Sequence, residues 1–260
     1  MKNFRILFFG DVVGPRTAEK LGSSLWSLRK KYGADMAIVN GENCAPGNGI
    51  DKAGADMLLS GGADIITTGN HVFKRFEADT LLNDELRRII RPANYPPQLA
   101  GAGFSLCDCG SATVLVINLL GLVDMEPLAC PFATADKILA ENKGKYDISV
   151  IDFHAEATSE KKALLFYLDG KVSAIVGTHT HVETADETVT ESGTAYITDV
   201  GMCGAEKSVL GVKPECIIRR LTTHHPVKFE VAEGKPVLCG VLIEIDPSTG
   251  KAVSIERIKE

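Results

Sequence analysis

The chain has 260 residues, 45% of them hydrophobic and 24% charged, a composition that excludes disorder as its main state. Its 28 basic and 34 acidic side chains leave a net charge of −6, which excludes a broad basic surface for nucleic acid. No apolar run reaches the ~18 residues of a membrane span, and residues 4–9 are too short for a signal peptide, so a soluble cytoplasmic protein with no membrane partner is expected.

Residues 4–9 open the chain as a continuous apolar run, which predicts a strand buried on both faces. Leu21, Leu25, Leu28 and Tyr32 then recur at steps of four, three and four, the spacing of an amphipathic helix. Further buried strands are predicted at 36–39, 65–68, 114–120, 148–153, 172–176 and 195–198, all rich in Val, Ile and Phe. Helical spacing recurs at 79–88, 133–141 and 159–168. Strands alternating with helices imply a layered α/β fold. The last third differs, because 227–231, 237–246 and 252–258 alternate apolar and polar residues around turn signals at Glu233-Gly234 and 247–250. These predict antiparallel hairpin strands added to the sheet, and their exposed apolar residues suggest a homo-oligomer. No linker, charge block or repeat divides the chain, so residues 1–260 are expected to form a single domain. Seven cysteines, an odd number without a Cys-x-x-Cys pair, fit a reducing compartment and give no support to a zinc knuckle.

The polar residues cluster where the predicted strands end. Gly10-Asp11 follows the first strand, Asn40-Gly41-Glu42-Asn43 the second and Gly69-Asn70-His71 the third. His154 closes the strand at 148–153 with Glu156 close by, Gly177-Thr178-His179-Thr180-His181 follows the strand at 172–176, and Asp199 follows the strand at 195–198. In open α/β sheets, sites form beyond the carboxyl ends of strands, and four of the six histidines stand there. Imidazoles mixed with carboxylates favour iron, manganese, zinc or cobalt over magnesium or calcium. His179 and His181 in an extended segment would point both rings the same way. Asp11, Glu42, Asn43, Asn70 and His154 add more ligands than one ion needs, which favours two ions bridged by a carboxylate.

Each motif also has an ordinary structural explanation. Asp11 and Asn70 can cap helices, 40–43 can be a turn cluster, and His154 taken alone is a satisfied core histidine. Asp199 can orient a ligand histidine or cap a turn. Arg91 and Asn94 can touch substrate or hold a turn. Cys203 reads as a small buried or loop thiol, and His224-His225 as a surface pair or turn. Five such segments in this order, each after a strand, are poorly explained by chance.

Gly-Asp-Val-Val-Gly at 10–14, Asn-Gly-Glu-Asn at 40–43 and Gly-Asn-His at 69–71 resemble the YmdB-like branch of the calcineurin-type metallophosphoesterases. Arg-Pro-Ala-Asn-Tyr-Pro at 91–96, the segment 152–159, Gly-Thr-His-Thr-His-Val at 177–182 and Thr-Asp-Val-Gly-Met at 198–202 extend the likeness over nearly the whole chain. Val13 and Glu42 stand where the wider superfamily has a ligand histidine and a bridging aspartate, and both are features of this branch. The resemblance implies a four-layer αββα sandwich of mixed sheets, here with a C-terminal antiparallel strand region. It implies two metal ions per chain, iron first with manganese or zinc as alternatives, and phosphodiesterase activity on 2′,3′-cyclic nucleotides. By position, Asp11, Asn43 and His181 would hold one ion, Asn70, His154 and His179 the other, and Glu42 both. A hydroxide bridging the ions would attack phosphorus, and His71 would be the general acid. The alternatives are a phosphomonoesterase or nucleotidase on the same metals, and a regulatory nucleotide sensor with incidental turnover.

Overall fold

The computed structural model describes residues 2–84, 86 and 88–260. In chain order, the first part of the fold is β1 (Phe4–Phe9), β2 (Asp11–Val12), α1 (Pro15–Tyr32), β3 (Met36–Asn40), α2 (Lys52–Ser60), β4 (Ile65–Thr67) and α3 (Ala78–Leu82). There follow β5 (Phe104–Asp108), β6 (Thr113–Leu120), α4 (Pro131–Glu141), β7 (Ile148–His154), α5 (Thr158–Leu168) and β8 (Ala174–Thr178). The chain ends with β9 (Thr188–Val189), β10 (Ala195–Ile197), β11 (Met202–Ala205), α6 (Pro214–Thr223), β12 (Pro236–Asp246) and β13 (Lys251–Lys259).

The strands form two mixed sheets. One runs β2-β11-β12-β1-β3-β4, with β13 paired to β12, and the other runs β5-β6-β7-β8-β10-β9. Successive side chains of a buried strand face opposite ways, and β1 uses both faces. Leu7 and Phe9 pack with Leu21, Leu25 and Leu28 of α1 and Leu58 of α2. Ile6 and Phe8 turn the other way, toward Val114 and Val116 of β6, Val150 of β7 and Val176 of β8. On the far side of the second sheet, Ile151, Phe153 and Ile175 meet Leu164, Leu165 and Leu168 of α5. Helices, sheet, sheet and helices therefore stack as the four layers that the resemblance implies. Each large side chain so buried contributes about 1.5–3 kcal/mol of transfer free energy.

Two of the expected elements are corrected. The helix expected at 79–88 is only Ala78–Leu82, and Glu85 and Arg87 lie outside the described residues. The chain leaves the helix early because Ile89 must bridge Ile66, with Ile66 N–H donating to the Arg88 carbonyl at 3.0 Å and Ile90 N–H donating to the Ile66 carbonyl at 2.9 Å. The strand expected at 227–231 reduces to one bridge, Val231 with Val212. Its potential partner turns into α6 at Pro214, and Pro226 has no N–H to donate. The other two C-terminal strands do form an antiparallel hairpin, but β12 sits inside the first sheet, antiparallel to β1 from Phe4↔Ile245 to Phe9↔Gly240. Burial on both sides explains why Val241, Ile243 and Ile245 belong to the layer between the sheets.

Candidate metal centre

Parallel pairing brings the predicted segments to one rim. In the first sheet β1, β3 and β4 run parallel and end near Asp11, Asn40 and Thr67. In the second, β7 and β8 run parallel with His154 in register with Thr178, and β10 continues the parallel run beside β8. Two glycines let neighbouring groups approach there, a backbone at Gly10 and side chains at Gly69. A Cβ on Gly10 would lie 1.9 Å from the Gly201 carbonyl oxygen, and one on Gly69 would lie 2.2 Å from Glu42 Oε2 and 2.4 Å from His154 Nε2.

Every predicted ligand is at this rim. Glu42, His154 and His179 form one set of potential metal donors, and Asp11, Glu42 and His181 form another, with donor atoms in each set within 4.8 Å of one another. Glu42 belongs to both. Asn70 joins the first set, its Oδ1 lying 3.0 Å from His154 Nε2. Asn43 joins the second, its Nδ2 3.5 Å from His181 Nε2 and donating to Glu42 Oε1 at 2.8 Å. His71 lies beside Glu42, with Nδ1 2.9 Å from Asn43 Oδ1 and 3.1 Å from Glu42 Oε1.

Protein groups alone leave this cluster under-satisfied. Asp11 Oδ1 is buried without a hydrogen-bond partner among the described residues. The imidazole nitrogens His154 Nδ1 and His181 Nε2 stand 3.7 and 3.8 Å from it. Around His154 Nε2 converge Asn70 Oδ1 and His179 Nδ1 at 3.0 Å and Glu42 Oε2 at 3.3 Å, more lone pairs than one N–H can serve. Burial opposes a charge on His154, but Glu42 and then Asp11 outweigh it and push the ring up to about 9. Burial likewise opposes ionisation of Glu42, yet His154 and His71 hold its carboxyl well below the usual range. Asp11 is raised by burial, and His179 is pushed down to about 3 by burial and by the charge of His154. Such a donor set suits a cation, and imidazole, carboxylate and amide oxygen together suit iron, manganese or zinc.

Behind the donors lies a tier of polar residues, of which Asp152, Asn40 and Thr178 are fully buried and Glu156 is exposed. The Thr178 hydroxyl donates to Asp152 Oδ1 at 2.7 Å and faces His154 Nδ1 at 2.9 Å, which keeps His154 Nε2 turned to the site. Asn40 Nδ2 donates to Asp152 Oδ2 at 2.9 Å, joining the two sheets. His179 Nε2 meets Glu156 Oε2 at 3.1 Å, and His181 Nδ1 donates to the Leu210 carbonyl at 3.0 Å. Asn40, Thr178 and Glu156 stand in the strand-end segments and Asp152 in the segment 152–159, but the sequence assigns none of them a role of its own. Asp152 carried a signal, since a carboxylate inside the apolar run 148–153 must be buried and therefore partnered.

His179 and His181 depart from expectation in one respect. They do not follow an extended path, because both have left-handed backbones, with φ of 104° and 63°. Their rings accordingly divide between the two donor sets instead of pointing the same way. Such backbones cost of order 1–3 kcal/mol each and need bracing. The His179 N–H donates to Asp11 Oδ2 at 3.1 Å and the Thr180 N–H to Asp199 Oδ2 at 3.0 Å. Lys161, wholly buried in α5, donates from Nζ to the Thr178 carbonyl and to Asp199 Oδ2, both at 2.8 Å. Asp199 thus caps the turn at Gly201 and accepts from the Thr180 N–H between the two histidines, touching neither imidazole. Removing one partner of a buried ion pair costs about 3–5 kcal/mol. Lys161→Met is expected to lose that much stability in urea unfolding, and a loss below about 1 kcal/mol, the size of an exposed pair, would contradict this role. Gly69→Ala is a sharper probe of the centre. Its added Cβ collides with Glu42 and His154, so bound metal should fall at unchanged secondary structure, and full metal content in that variant would contradict the geometry.

Other polar candidates are structural. The Arg91 guanidinium donates to the carbonyls of Ala100 and Pro92 at 3.0 and 2.9 Å. Asn94 bridges Leu120 and Ala129. Cys203 is buried, its thiol pushed well up by burial and donating to the Cys239 carbonyl. His224 is the left-handed cap that ends α6.

The chain resembles known proteins over nearly its whole length. A sequence profile of the family described as YmdB-like protein matches residues 7–258. Over 254 residues the chain is 47% identical to the 2′,3′-cyclic-nucleotide 2′-phosphodiesterase of Bacillus subtilis (strain 168), covering 98% of this chain and 96% of that protein. A crystal structure of a hypothetical protein from Thermus thermophilus superposes with a TM-score of 0.92 at 38% identity, covering 99% of each chain. That of a novel phosphatase from Mycoplasma pneumoniae does so with a TM-score of 0.92 at 36% identity, covering 100% of this chain and 94% of the other. Nearly the whole chain is therefore accounted for, and it belongs to the YmdB-like protein family.

Proposed function

We propose that the chain is a metal-dependent phosphodiesterase that hydrolyses 2′,3′-cyclic nucleotides at a centre for two ions, iron first with manganese or zinc as alternatives. What carries this is Glu42, a buried carboxylate that belongs to both donor sets. The phosphodiesterase named for the relative that is 47% identical supports the substrate class. Asn70, His154 and His179 would hold one ion, Asp11, Asn43 and His181 the other, and Glu42 both. Ions held there supply Lewis acidity toward phosphoryl oxygens and acidify water.

The protein's own groups do the rest. With Nδ1 held between Asn43 and Glu42, His71 presents Nε2 to the substrate and delivers a proton to the departing ribose oxygen. Asn43 fixes that ring while its amide nitrogen steadies Glu42. Thr178 and Asp152 fix His154, and Glu156 fixes His179, so that substrate meets side chains whose directions are already set. We place the enzyme in the cytoplasm as one domain over residues 1–260, supported by its free cysteines and by side chains of both sheets sharing the middle core layer. Initial rates on 2′,3′-cAMP, 3′,5′-cAMP and 3′-AMP test the substrate class. The 2′,3′-cyclic ester should turn over fastest. Faster hydrolysis of the monoester would assign the site to a nucleotidase instead.

A further inference from the structure

The segment 91–96 supplies no metal donor, yet its backbone is fixed from several sides. The Arg91 guanidinium is buried without a carboxylate partner among the described residues, and it donates to the carbonyls of Pro92 and Ala100. Taking a charge out of water for such contacts is costly. Asn94 accepts from the Leu120 N–H at 2.9 Å and donates to the carbonyls of Leu120 and Ala129 at 2.8 and 3.1 Å. What this fixed segment presents is Tyr95, buried in the core shared with α1 and α2. Its ring meets Phe73 edge to face, with centroids 5.3 Å apart and planes at 85°. Its hydroxyl donates to Glu126 Oε2 at 3.1 Å. Burial and then the Glu126 charge raise that hydroxyl above the usual phenol range, so it stays a donor. Glu126 in turn stands on an anchored loop, because buried Glu160 of α5 accepts from the N–H groups of Leu122 and Val123 at 3.0 and 3.3 Å.

We propose, resting on the reading of His71 as general acid, that Tyr95 is the positioning residue that aims His71 through Phe73. Phe73 lies two residues beyond His71 in a tight turn, where the Val72 N–H donates to the Gly69 carbonyl at 3.2 Å and the Lys74 N–H to the His71 carbonyl at 2.9 Å. Asn43 and Glu42 fix the imidazole at Nδ1, and Phe73 against Tyr95 fixes the backbone that carries it. An edge-to-face pair has a preferred geometry, so this contact sets an angle as well as a distance. A proton donor must reach its acceptor within about 3 Å, and a misplacement of about 1 Å can cost on the order of 100-fold in rate. Core packing alone would make Tyr95 matter to stability. Aiming His71 makes it matter to one step, carried by one side chain.

Kinetics of the metal-loaded enzyme on 2′,3′-cAMP test this. Tyr95→Leu should lower kcat by about 10–100-fold, with KM and metal content near wild type. In the His71→Ala background the same substitution should change kcat by less than about twofold, because no acid is left to aim. Tyr95→Phe and Glu126→Ala leave the core filled, and each should cost about 3–10-fold in kcat. Together they should cost no more than either alone, since both remove one hydrogen bond. Independently of turnover, the Lys74 amide that closes the His71 turn should exchange with deuterium at least about tenfold faster in Tyr95→Leu than in wild type. Losses that multiply in Tyr95→Leu/His71→Ala or in Tyr95→Phe/Glu126→Ala would overturn the proposal, as would Lys74 exchange at the wild-type rate. In each of those cases a slow His71→Ala leaves the general acid standing. Wild-type turnover in His71→Ala would instead remove the acid itself, and the proposal with it.

Discussion

His154→Ala is expected to carry one metal ion fewer per chain and to lose turnover well beyond the roughly 10–100-fold typical of outer-tier changes. His154 is fully buried, and its Nε2 faces Asn70, His179 and Glu42 at once. Alanine removes a donor and also strands two buried carboxylates, Glu42 and Asp11, that its ring helps to neutralise. The metal-free variant should accordingly be less stable by about 3–5 kcal/mol, the cost of breaking a buried charge pair. His154→Gln keeps most of the volume and separates loss of a ligand from loss of packing. Elemental analysis of both variants checks the assignment, and full metal content in His154→Gln and His154→Ala alike would remove His154 from the ligand set.

His71→Ala should behave in the opposite way. His71 touches Glu42 and Asn43 without belonging to either donor set, and Asn43 Nδ2 still donates to Glu42 when the ring is gone. Metal content and KM should therefore stay near wild type, while kcat falls by about 10²–10⁴-fold, the range for a missing general acid. The loss should be smaller for a substrate with an acidic leaving group, which departs without a proton. Turnover equal to wild type on 2′,3′-cAMP would refute the role given to His71.

Much of this centre was legible because its residues stand at strand ends that the sequence marks clearly. Runs such as 4–9 and 148–153 are apolar on both faces, so their ends are sharp, and whatever polar residues follow are brought to one rim by parallel pairing. Less legible was anything set by partners distant in sequence. The alternation at 227–231 has the period of a strand, but a strand needs a neighbour of matching length, and Val212 leads straight into α6. The place of β12 beside β1 depends on a pairing between opposite ends of the chain, Phe4 with Ile245. The left-handed backbones of His179 and His181 leave no local trace, because neither residue is glycine and the cost is borne by Asp11, Asp199 and Lys161. Asp152 was visible as an oddity in an apolar run, and its partnership with Thr178 and Asn40 required the fold.

Hydrolysis of a 2′,3′-cyclic nucleotide is expected to depend on two ions sharing Glu42. This dependence is tested most directly by stripping the purified protein of metal and restoring iron, or in parallel manganese, in measured steps while following 2′,3′-cAMP hydrolysis. Stripped protein should be inactive, and full activity should return only as occupancy approaches two ions per chain. Activity in the stripped protein, or full activity at a single ion per chain, would contradict the account.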